Sequence, residues 1–507
     1  MIDLPDEIWQ QIFANFEDYM PLKNWWMYGT QLNHECPRTL LSLSQVSRRF
    51  RRVAQSFLYR TLLLEGRDSE ALAQILLLRS LSEDPKLGQQ VRNVSFDDST
   101  GSPCRMSSAL VHIPVDSIFR KALASLSLPP STAKWLEQSI SDGCAFGTLA
   151  VAYMAQSQFV DCTVDHEASP LPFMLSGRFG VEDVVPSHPG CEEEDHEDND
   201  KTNEKHGRIL VGKISADYSF PNLTEIRIRA GGSEGTLPAF VVEPILLHPA
   251  LKVLRTFGIE WIGDKSRQLR WLDQASNLLC LDLKESVIDA TGLRSILTRC
   301  PNLKSLSIQL ADSSREQDGE EAVWIVDLDD FGNVLRQLGR GLEELEIHTL
   351  DYTSEHSTEG RLGLLQALSS LKHLKVDKEG LLGPVREPGG EVSRPALRFD
   401  EALPPSLETL YLHWADNYHG EYWYKDRRQI VDKETHELIM EDKMPNLREI
   451  KVEKYYNEAW EGEWDPFLEV DGWEVSVKHE HLWETYDCSG CLRTIAILSR
   501  RTLTSNN

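Results

Sequence analysis

A short phrase recurs along most of this 507-residue chain. It consists of a leucine, two variable residues, a leucine or isoleucine, one variable residue and usually another aliphatic residue. The first leucines of its clear copies are 25 to 40 residues apart, so the chain consists of repeated units with connections of varying length. Weaker copies lie at 90–96 and 158–164, and the clear copies lie at 220–228, 248–256, 276–283, 301–308, 341–347, 370–376, 405–412 and 445–452.

The phrase alternates as a β-strand does, because successive side chains of a strand point to opposite faces of the sheet. In the fourth clear copy, Leu306 and Ile308 would face the core. Ser305, Ser307 and Gln309 would face outward. The segment GLRSILTRC before this copy has helical periodicity, and the proline that opens the copy ends the helix. The sequence therefore predicts a strand and a helix in each repeat.

Repeats of this length and leucine pattern resemble leucine-rich repeats, whose period is about 20–29 residues. The resemblance implies an α/β fold, an irregular leucine-rich-repeat solenoid or horseshoe, with outward strand residues on its concave face. Longer spacings carry insertions, such as 311–322, which bulge without disturbing the stacked core. The outward residues have mixed charge and no clustering typical of catalysis, and we expect them to bind a target: Arg227, Asp282, Ser307, Glu346, Lys375, Tyr411 and Lys451.

The N-terminal stretch LPDEIWQQIF predicts a helix close to the first residue. Pro5 suits the first turn of a helix, and Asp6 and Glu7 oppose the positive end of the helix dipole. Apolar residues at helical spacing then form one face, which is too large to remain in water without neighbours or a partner. They are Ile8, Trp9, Ile12, Phe13 and Phe16.

Helical periodicity resumes after a polar and aromatic segment at 17–38. Leu40, Leu43 and Val46 predict one apolar stripe, which continues after a break at Ser47. Residues 1–60 are therefore predicted to form three short helices that share an apolar surface. The pattern alone leaves open whether this surface packs only within its own domain or also binds another chain.

The two N-terminal segments, LPDEIWQQIF and LLSLSQVSRRFRRVA, together resemble the F-box motif. The stretches FLYRTLLLEG and SEDPKLGQQVRNVSF resemble fungal F-box proteins that continue into degenerate leucine-rich repeats. The segment at 17–38, which contains Trp25 and Trp26, is longer than the connection that the family usually has between its first two helices. The resemblance therefore leaves open how these helices dock on an adaptor. The resemblance implies contacts to a Skp-type adaptor from Leu4, Pro5, Glu7, Ile8, Ile12, Phe13, Leu40, Leu43, Val46 and Phe50.

Charge and cysteine content limit the classes of partner and compartment. The chain has 53 basic and 80 acidic side chains, a net charge of −27 that disfavours nucleic acid and anionic membranes as partners. Nine scattered cysteines, an odd number, favour reduced thiols in the cytosol or nucleus over a disulfide framework. No basic signal region and no apolar run of about 18 residues is visible.

These patterns divide the chain into segments. We expect an F-box at 1–66, the first degenerate repeats and helices at 67–164, and the repeat solenoid at 207–452. The stretch 165–206 includes seven carboxylates between 192 and 200 and predicts a disordered acidic insertion. The tail at 453–507 is rich in tryptophan and predicts a cap over the last repeat.

Two motifs could indicate enzymatic or metal chemistry. GGSEG at 231–235 matches the G-x-S-x-G pattern of hydrolases, but the alternating segment before it and Pro238 after it favour a loop over a nucleophile at Ser233. His479, His481, Cys488 and Cys491 could ligate zinc, but their spacing is not that of known zinc sites. We expect no enzyme activity, metal or cofactor.

Two charged runs could bind nucleic acid or calcium. SRRFRR at 47–52 is basic, but on a helix its arginines would solvate the polar face. The acidic tract at 192–200 lacks the glycine and ligand spacing of a calcium loop. Solvated surface is the favoured interpretation of both runs.

The resemblance implies the substrate-recognition subunit of a Skp–cullin–F-box ubiquitin ligase. Its F-box would bind the adaptor, and through it a cullin, while the repeats bind a target protein. A leucine-rich-repeat scaffold without a ligase role is the alternative. Such a scaffold would not bind the adaptor, which distinguishes it from a ligase subunit.

Overall fold

The computed structural model describes residues 4–16, 35–64, 70–97, 113–126, 128, 130–138, 140, 144–164, 169, 171–175, 181–182, 209–210, 220–231, 236–262, 275–311, 325–349, 358–383, 385–386, 392–413, 433–456, 472–481 and 492–501. Within these ranges the protein is a mixed α/β structure. A helical N-terminal region precedes a large and mostly parallel sheet.

Helices concentrate in the first third of the chain and then alternate with strands. They are α1 (Asp6–Ala14), α2 (Glu35–Val46), α3 (Arg48–Leu58), α4 (Glu70–Glu83), α5 (Pro85–Gly88), α6 (Val115–Ser125), α7 (Pro130–Gln138), α8 (Cys144–Ala152), α9 (Leu171–Leu175), α10 (Ala290–Arg299), α11 (Leu328–Leu338), α12 (Lys378–Leu382), α13 (Phe399–Ala402) and α14 (Lys433–Met440). Shorter 3-10 turns lie at Ala239–Val241, Glu243–Leu247 and Gly339–Gly341.

The strands are β1 (Thr61–Leu64), β2 (Asn93–Asp97), β3 (Phe159–Val164), β4 (Val181–Glu182), β5 (Ile209–Leu210), β6 (Glu225–Ala230), β7 (Leu237–Pro238), β8 (Val253–Phe257), β9 (Ile259–Trp261), β10 (Cys280–Ile288), β11 (Ser305–Leu310), β12 (Val326–Asp327), β13 (Glu344–Thr349), β14 (Thr358–Glu359), β15 (His373–Asp377), β16 (Val385–Arg386), β17 (Val392–Arg394), β18 (Thr409–His413), β19 (Glu449–Tyr456), β20 (Trp473–His481) and β21 (Leu492–Arg500).

The main sheet follows the chain almost in order, as β1-β2-β3-β6-β8-β10-β11-β13-β15-β18-β19-β21-β20. Neighbours are parallel from β1 to β19, and the last two strands are antiparallel additions. β7 and β9 extend the parallel pairing beside β10. Each copy of the repeated phrase, the two weak ones included, contributes one strand of this sheet.

A turn before most of the repeat strands explains the phrase. The N–H of the leading leucine donates to the carbonyl three residues earlier, for example from Leu303 to Cys300 at 3.1 Å and from Leu447 to Met444 at 3.2 Å. Proline often follows the first residue of such turns, because its fixed φ suits that position. Pro301 is the second residue of its turn, directly after Cys300. The prolines therefore set the entry into the strands.

The residue after each leading leucine connects one repeat to the next. Its N–H donates to the carbonyl of the equivalent residue in the preceding repeat, at 2.8 Å from Glu343 to Lys304, Lys372 to Glu343 and Glu408 to Lys372. The same bond runs from Arg448 to Glu408 at 2.8 Å. The eight leading leucines are at most 3% exposed, so the units are stacked on a shared core.

The described residues form two separate apolar cores. One runs under the main sheet from α4 to β21. The other is small and belongs to α1, α2 and α3 alone. β1 begins shortly after α3, and the N–H of Arg92 donates to the carbonyl of Arg60 at 2.8 Å, so the chain passes directly from the helices into the sheet.

Several sequence predictions need adjustment. α9 lies within the predicted acidic insertion at 165–206, yet Leu171 and Leu175 are fully buried in the main core, because this part of the segment is apolar. The acidic tract at 192–200 lies outside the described residues. The segment predicted as a cap supplies β20 and β21, which continue the same sheet. No helix in the described parts of the chain is long and apolar enough to cross a membrane.

Candidate functional site

The three N-terminal helices pack around a small aromatic core. Phe13 on α1 and Leu40 on α2 are 1% and 3% exposed, and they meet Val53 and Ala54 on α3. The Phe13 ring lies 5.5 Å from the Phe50 ring, edge to face, a favourable geometry for aromatic pairs. Ser47 separates α2 from α3 and caps α3 by accepting the Phe50 N–H at 3.0 Å. The helices therefore hold one another without a partner.

Charged residues fix the start of α1 against α3. The Asp6 carboxylate accepts from Arg49 Nε at 2.6 Å and also pairs with Arg52. Arg49 donates to the carbonyl of Leu4 as well. The hydrogen bond from Arg49 lowers the pKa of Asp6. The basic run at 47–52 thus has an internal role, because two of its arginines bind α1.

Four aliphatic side chains of this region remain exposed. On α1 they are Ile8 and Ile12, each 37% exposed and one helical turn apart. On α2 they are Leu41 and Val46, which are 52% and 68% exposed. Since α1 and α2 both pack on α3, these side chains are the large aliphatic groups of the two helices that the domain's own core leaves uncovered.

The ten predicted adaptor contacts therefore separate into groups. Ile8, Ile12 and Val46 lie on the exposed surface, as do Pro5 and Glu7, while Leu4 is half-buried. Phe13 and Leu40 differ from the prediction, because they are buried in the domain's own core. Leu43 and Phe50 pack partly against that core. Leu41 was missed, since it lies off the predicted stripe.

The second surface is the polar face of the main sheet. All seven predicted target-binding residues lie in one row across it, because their strands pair in matching register. Arg255 completes the row between Arg227 and Asp282. Arg227 and Asp282 are buried, whereas the other five are half-buried: Ser307, Glu346, Lys375, Tyr411 and Lys451.

Glu346 is the centre of a charged cluster in this row. Its Oε1 accepts from Lys375 Nζ at 2.8 Å and from His348 Nε2 at 2.9 Å, and it lies 3.5 Å from Lys284 Nζ. Ser307 Oγ donates to Oε2 at 2.9 Å. Burial favours the neutral acid, but the two ammonium groups outweigh burial and hold the pKa of Glu346 well below its usual value. Burial lowers the pKa of His348 to about 3, so its ring is neutral.

An arginine cluster occupies the same face nearer the N-terminus. Arg255 bridges two carboxylates, with Nε 3.1 Å from Glu225 Oε1 and Nη1 3.0 Å from Asp282 Oδ2. Arg229 Nη1 lies 2.8 Å from Asp161 Oδ1. Buried charges of both signs are therefore paired here, because an unpaired buried charge is strongly destabilising.

Two histidines lie at the carboxyl ends of β13 and β18, the two strands that flank β15. The rings of His348 and His413 are 4.7 Å apart, and His413 Nδ1 lies 3.3 Å from Glu453 Oε2. Burial disfavours a charged His413, but Glu453 outweighs it and raises the pKa of this histidine. Tyr411 also donates to Glu453. The polar face thus carries charged groups, hydroxyls and imidazoles, many of which are paired with one another.

The repeated phrase predicted one outward position per repeat and left out a second row. Residues two further along each strand point to the same face, which places Lys284, Gln309, His348 and His413 there. Gln309 was predicted to face outward, but it is only 6% exposed. Counting on by two from each named residue would have found this row.

Other sequence hypotheses fall partly outside the described residues. Ser233, Cys488, Cys491 and the segment 17–34 lie outside them. His479 and His481 belong to β20. Within the described ranges, no three His, Cys, Asp or Glu residues come together as metal ligands.

The N-terminal region matches a known family. Residues 1–65 match the family model described as F-box-like. No curated protein matches the chain. F-box domains typically bind a Skp-type adaptor and thereby a cullin, so this region suggests a component of a Skp–cullin–F-box ubiquitin ligase complex.

Proposed function

We propose that this protein is the substrate-recognition subunit of a Skp–cullin–F-box ubiquitin ligase. The observation that carries the proposal is the exposed aliphatic surface of α1 and α2 within a region that matches the F-box-like family. The domain already has its own core, so this surface is available to another chain. Ile8, Ile12, Leu41 and Val46 are the proposed central contacts.

Burial energetics favour a partner on this surface. Full burial of one large aliphatic side chain contributes about 1.5–3 kcal/mol. Ile8 and Ile12 are a little over one third exposed, and Val46 is about two thirds exposed. Covering these residues and Leu41 contributes a few kcal/mol in all, before contacts at the polar rim. Phe13 and Leu40 support the surface from below.

The sheet would supply the target-binding part. The equivalent hydrogen bonds between successive units support a degenerate leucine-rich-repeat array of the kind found in fungal F-box proteins. The polar face offers both signs of charge in fixed positions, which favours specific contacts over general attraction. The protein would form no covalent bond itself. It would raise the effective concentration of a target near the conjugating enzyme.

Co-purification tests the adaptor half of the proposal. The full chain, expressed with a Skp-type adaptor, should retain it, and an Ile8→Glu, Ile12→Glu double variant should lose it. Gln10→Glu, Gln11→Glu is the matched control, since it adds the same charge at two exposed positions of α1. Equal retention by all three chains, or by none, would contradict adaptor docking on this surface. A chain that binds targets but never the adaptor would favour the scaffold alternative.

Proximity labelling tests the target half. A chain carrying the Ile8→Glu, Ile12→Glu change should accumulate targets that are no longer degraded. Lys375→Glu reverses the charge of a half-buried residue on the polar face. Lys372→Glu, which lies just before the same strand on an exposed turn, is the control. Targets lost from the first variant and kept by the second support binding by the polar face, and identical target sets would contradict it.

A further inference from the structure

The last strand of the main sheet has an open outer edge. β20 pairs with β21 without interruption from Trp473, opposite Arg500, to His481, opposite Leu492. Within the part of the chain that the structure describes, no other strand pairs with β20. Proteins usually protect such an edge with charged side chains, a proline, a bulge or a very short strand. This nine-residue strand has charged side chains of both signs but no proline and no bulge.

The hydrogen bonding to β21 determines which backbone groups face outward. The N–H of Arg501 donates to the carbonyl of Gly472 at 2.7 Å, so these two residues form a hydrogen-bonded pair. Such pairs recur at every second residue of an antiparallel ladder. The even-numbered residues of β20 therefore bond to β21. The odd-numbered residues, Val475 and Val477 among them, direct N–H and C=O groups toward the open edge.

The side chains of β20 differ between the two faces of the sheet. Glu474, Ser476 and Lys478 are exposed on the polar face. Glu474 is 72% exposed and has only a 3.5 Å ion pair with Arg501, and Lys478 has no ion pair among the described residues. Val475, on the opposite face, is 37% exposed. The edge thus combines free backbone groups, one partly exposed valine and two opposite charges four residues apart.

We propose that β20 pairs antiparallel with β20 of a second copy of this chain, about a twofold axis at Ser476. This register places Val475 opposite Val477, both of which direct backbone groups outward. It also places Glu474 opposite Lys478, and twofold symmetry makes each pair occur twice. Glu474 and Lys478 would form non-hydrogen-bonded pairs, in which facing side chains approach most closely.

Charge selects this register over its neighbour. An axis at Val475 would place Glu474 opposite Ser476 and Lys478 opposite Gly472, so both attractive pairs would be lost. The self-complementary charge pattern is the reason to assign a second copy to the edge, since an unrelated extended peptide would need no such pattern. The pairing involves neither the F-box surface nor a target, so it stands or fails independently of the proposed function.

Sedimentation velocity of the full chain over a range of concentrations tests the proposal. The mass should rise from 57.7 kDa toward twice that value. Lys478→Glu and Glu474→Lys should each lower the association constant by about tenfold or more, because each change replaces two attractive pairs by two repulsive ones. The double exchange should restore association. A mixture of the two single variants should associate as well, with opposite charges facing each other.

Two further variants complete the test. Val477→Pro removes an outward N–H without removing a bond to β21, so it should abolish association while leaving the fold intact. Lys86→Glu changes the net charge equally at an exposed site on α5 and should have no effect. The proposal would be overturned if the chain stayed monomeric at all concentrations. It would also be overturned if neither Lys478→Glu nor Glu474→Lys lowered the association constant. A monomer that loses a target when Val477→Pro is introduced would overturn it too, because the edge would then bind the target.

Discussion

Replacing Glu346 by glutamine should destabilise the sheet measurably, because this carboxylate compensates two ammonium groups on the polar face. It accepts from Lys375 Nζ at 2.8 Å and lies 3.5 Å from Lys284 Nζ. Glutamine keeps the shape but removes the charge. Lys284, which is 7% exposed, would keep its contact with Asp282 at 3.3 Å but would lose the Glu346 charge. Breaking a buried pair costs about 3–5 kcal/mol, and partial exposure of Glu346 reduces the expected loss to about 2–3 kcal/mol.

Urea unfolding of matched variants measures this loss. Glu344→Gln is the control, since Glu344 lies on the same strand, is exposed and accepts from Ser305 Oγ at 2.8 Å. Its replacement should change the free energy of unfolding by less than about 0.5 kcal/mol. If Glu346→Gln costs no more than Glu344→Gln, the assignment of Glu346 as the centre of the charged cluster is wrong.

The difference in unfolding free energy between wild type and Glu346→Gln should also depend on pH. The pKa of Glu346 in the folded state lies well below its usual value, because Lys284 and Lys375 outweigh burial. The stability gained from its charge is therefore complete above the unfolded pKa of about 4.3 and is lost as pH falls toward the folded pKa. The difference between wild type and Glu346→Gln should be constant from about pH 6 to 8 and should shrink below about pH 4.5. A difference that grows on acidification would refute the reasoning.

Three other substitutions test local features of the fold. Gly332→Ala should destabilise α11 strongly, because the added Cβ would lie 2.1 Å from the carbonyl oxygen of Leu362. Gly341→Ala is the control, because its added Cβ would have its nearest neighbour at 4.0 Å. Thermal melts should show a lower melting temperature for the first variant and little change for the second. Ser47→Ala should cost about 1 kcal/mol in chemical denaturation and leave α3 intact in circular dichroism, since it removes only a cap. Burial lowers the pKa of His248 to about 4, so wild type should lose stability as pH falls from about 6.5 toward 4, and a His248→Asn variant should lose less.

The repeated phrase was sufficient to predict the strands, and the reason is periodicity. Each copy alternates apolar and polar residues with period two, and a strand is the conformation that directs that pattern to two faces. Leu306 and Ile308 are at most 1% exposed, as predicted. The leading leucine was also informative, because it closes the turn that begins most of these strands.

Connections between the strands were less predictable. Periodicity identified the helix α10, but several other connections contain only a 3-10 turn or a helix of four or five residues, such as Phe399–Ala402. Segments this short contain too few turns for a helical pattern to appear. α9 was missed for the same reason, because its five residues span little more than one helical turn.

The candidate sites show the limits of a one-dimensional pattern. Helical spacing identified the apolar residues of α1 but could not separate the core residue Phe13 from the exposed Ile8 and Ile12, since that depends on where α3 packs. The sheet register likewise brings Arg255 on β8 together with Asp282 on β10, and Lys284 on β10 together with Glu346 on β13. Their pairing depends on contacts between repeats.

Hydrogen–deuterium exchange on the full chain, alone and with a Skp-type adaptor, tests the central claim most directly. The proposal predicts new protection of backbone amides in 4–16 and 35–46, with the strands from β6 to β19 unchanged. Protection should disappear when Ile8→Glu, Ile12→Glu is used in the same experiment. Binding that protects the strands and leaves both N-terminal segments unaltered would contradict the claim that the surface of α1 and α2 is the adaptor site.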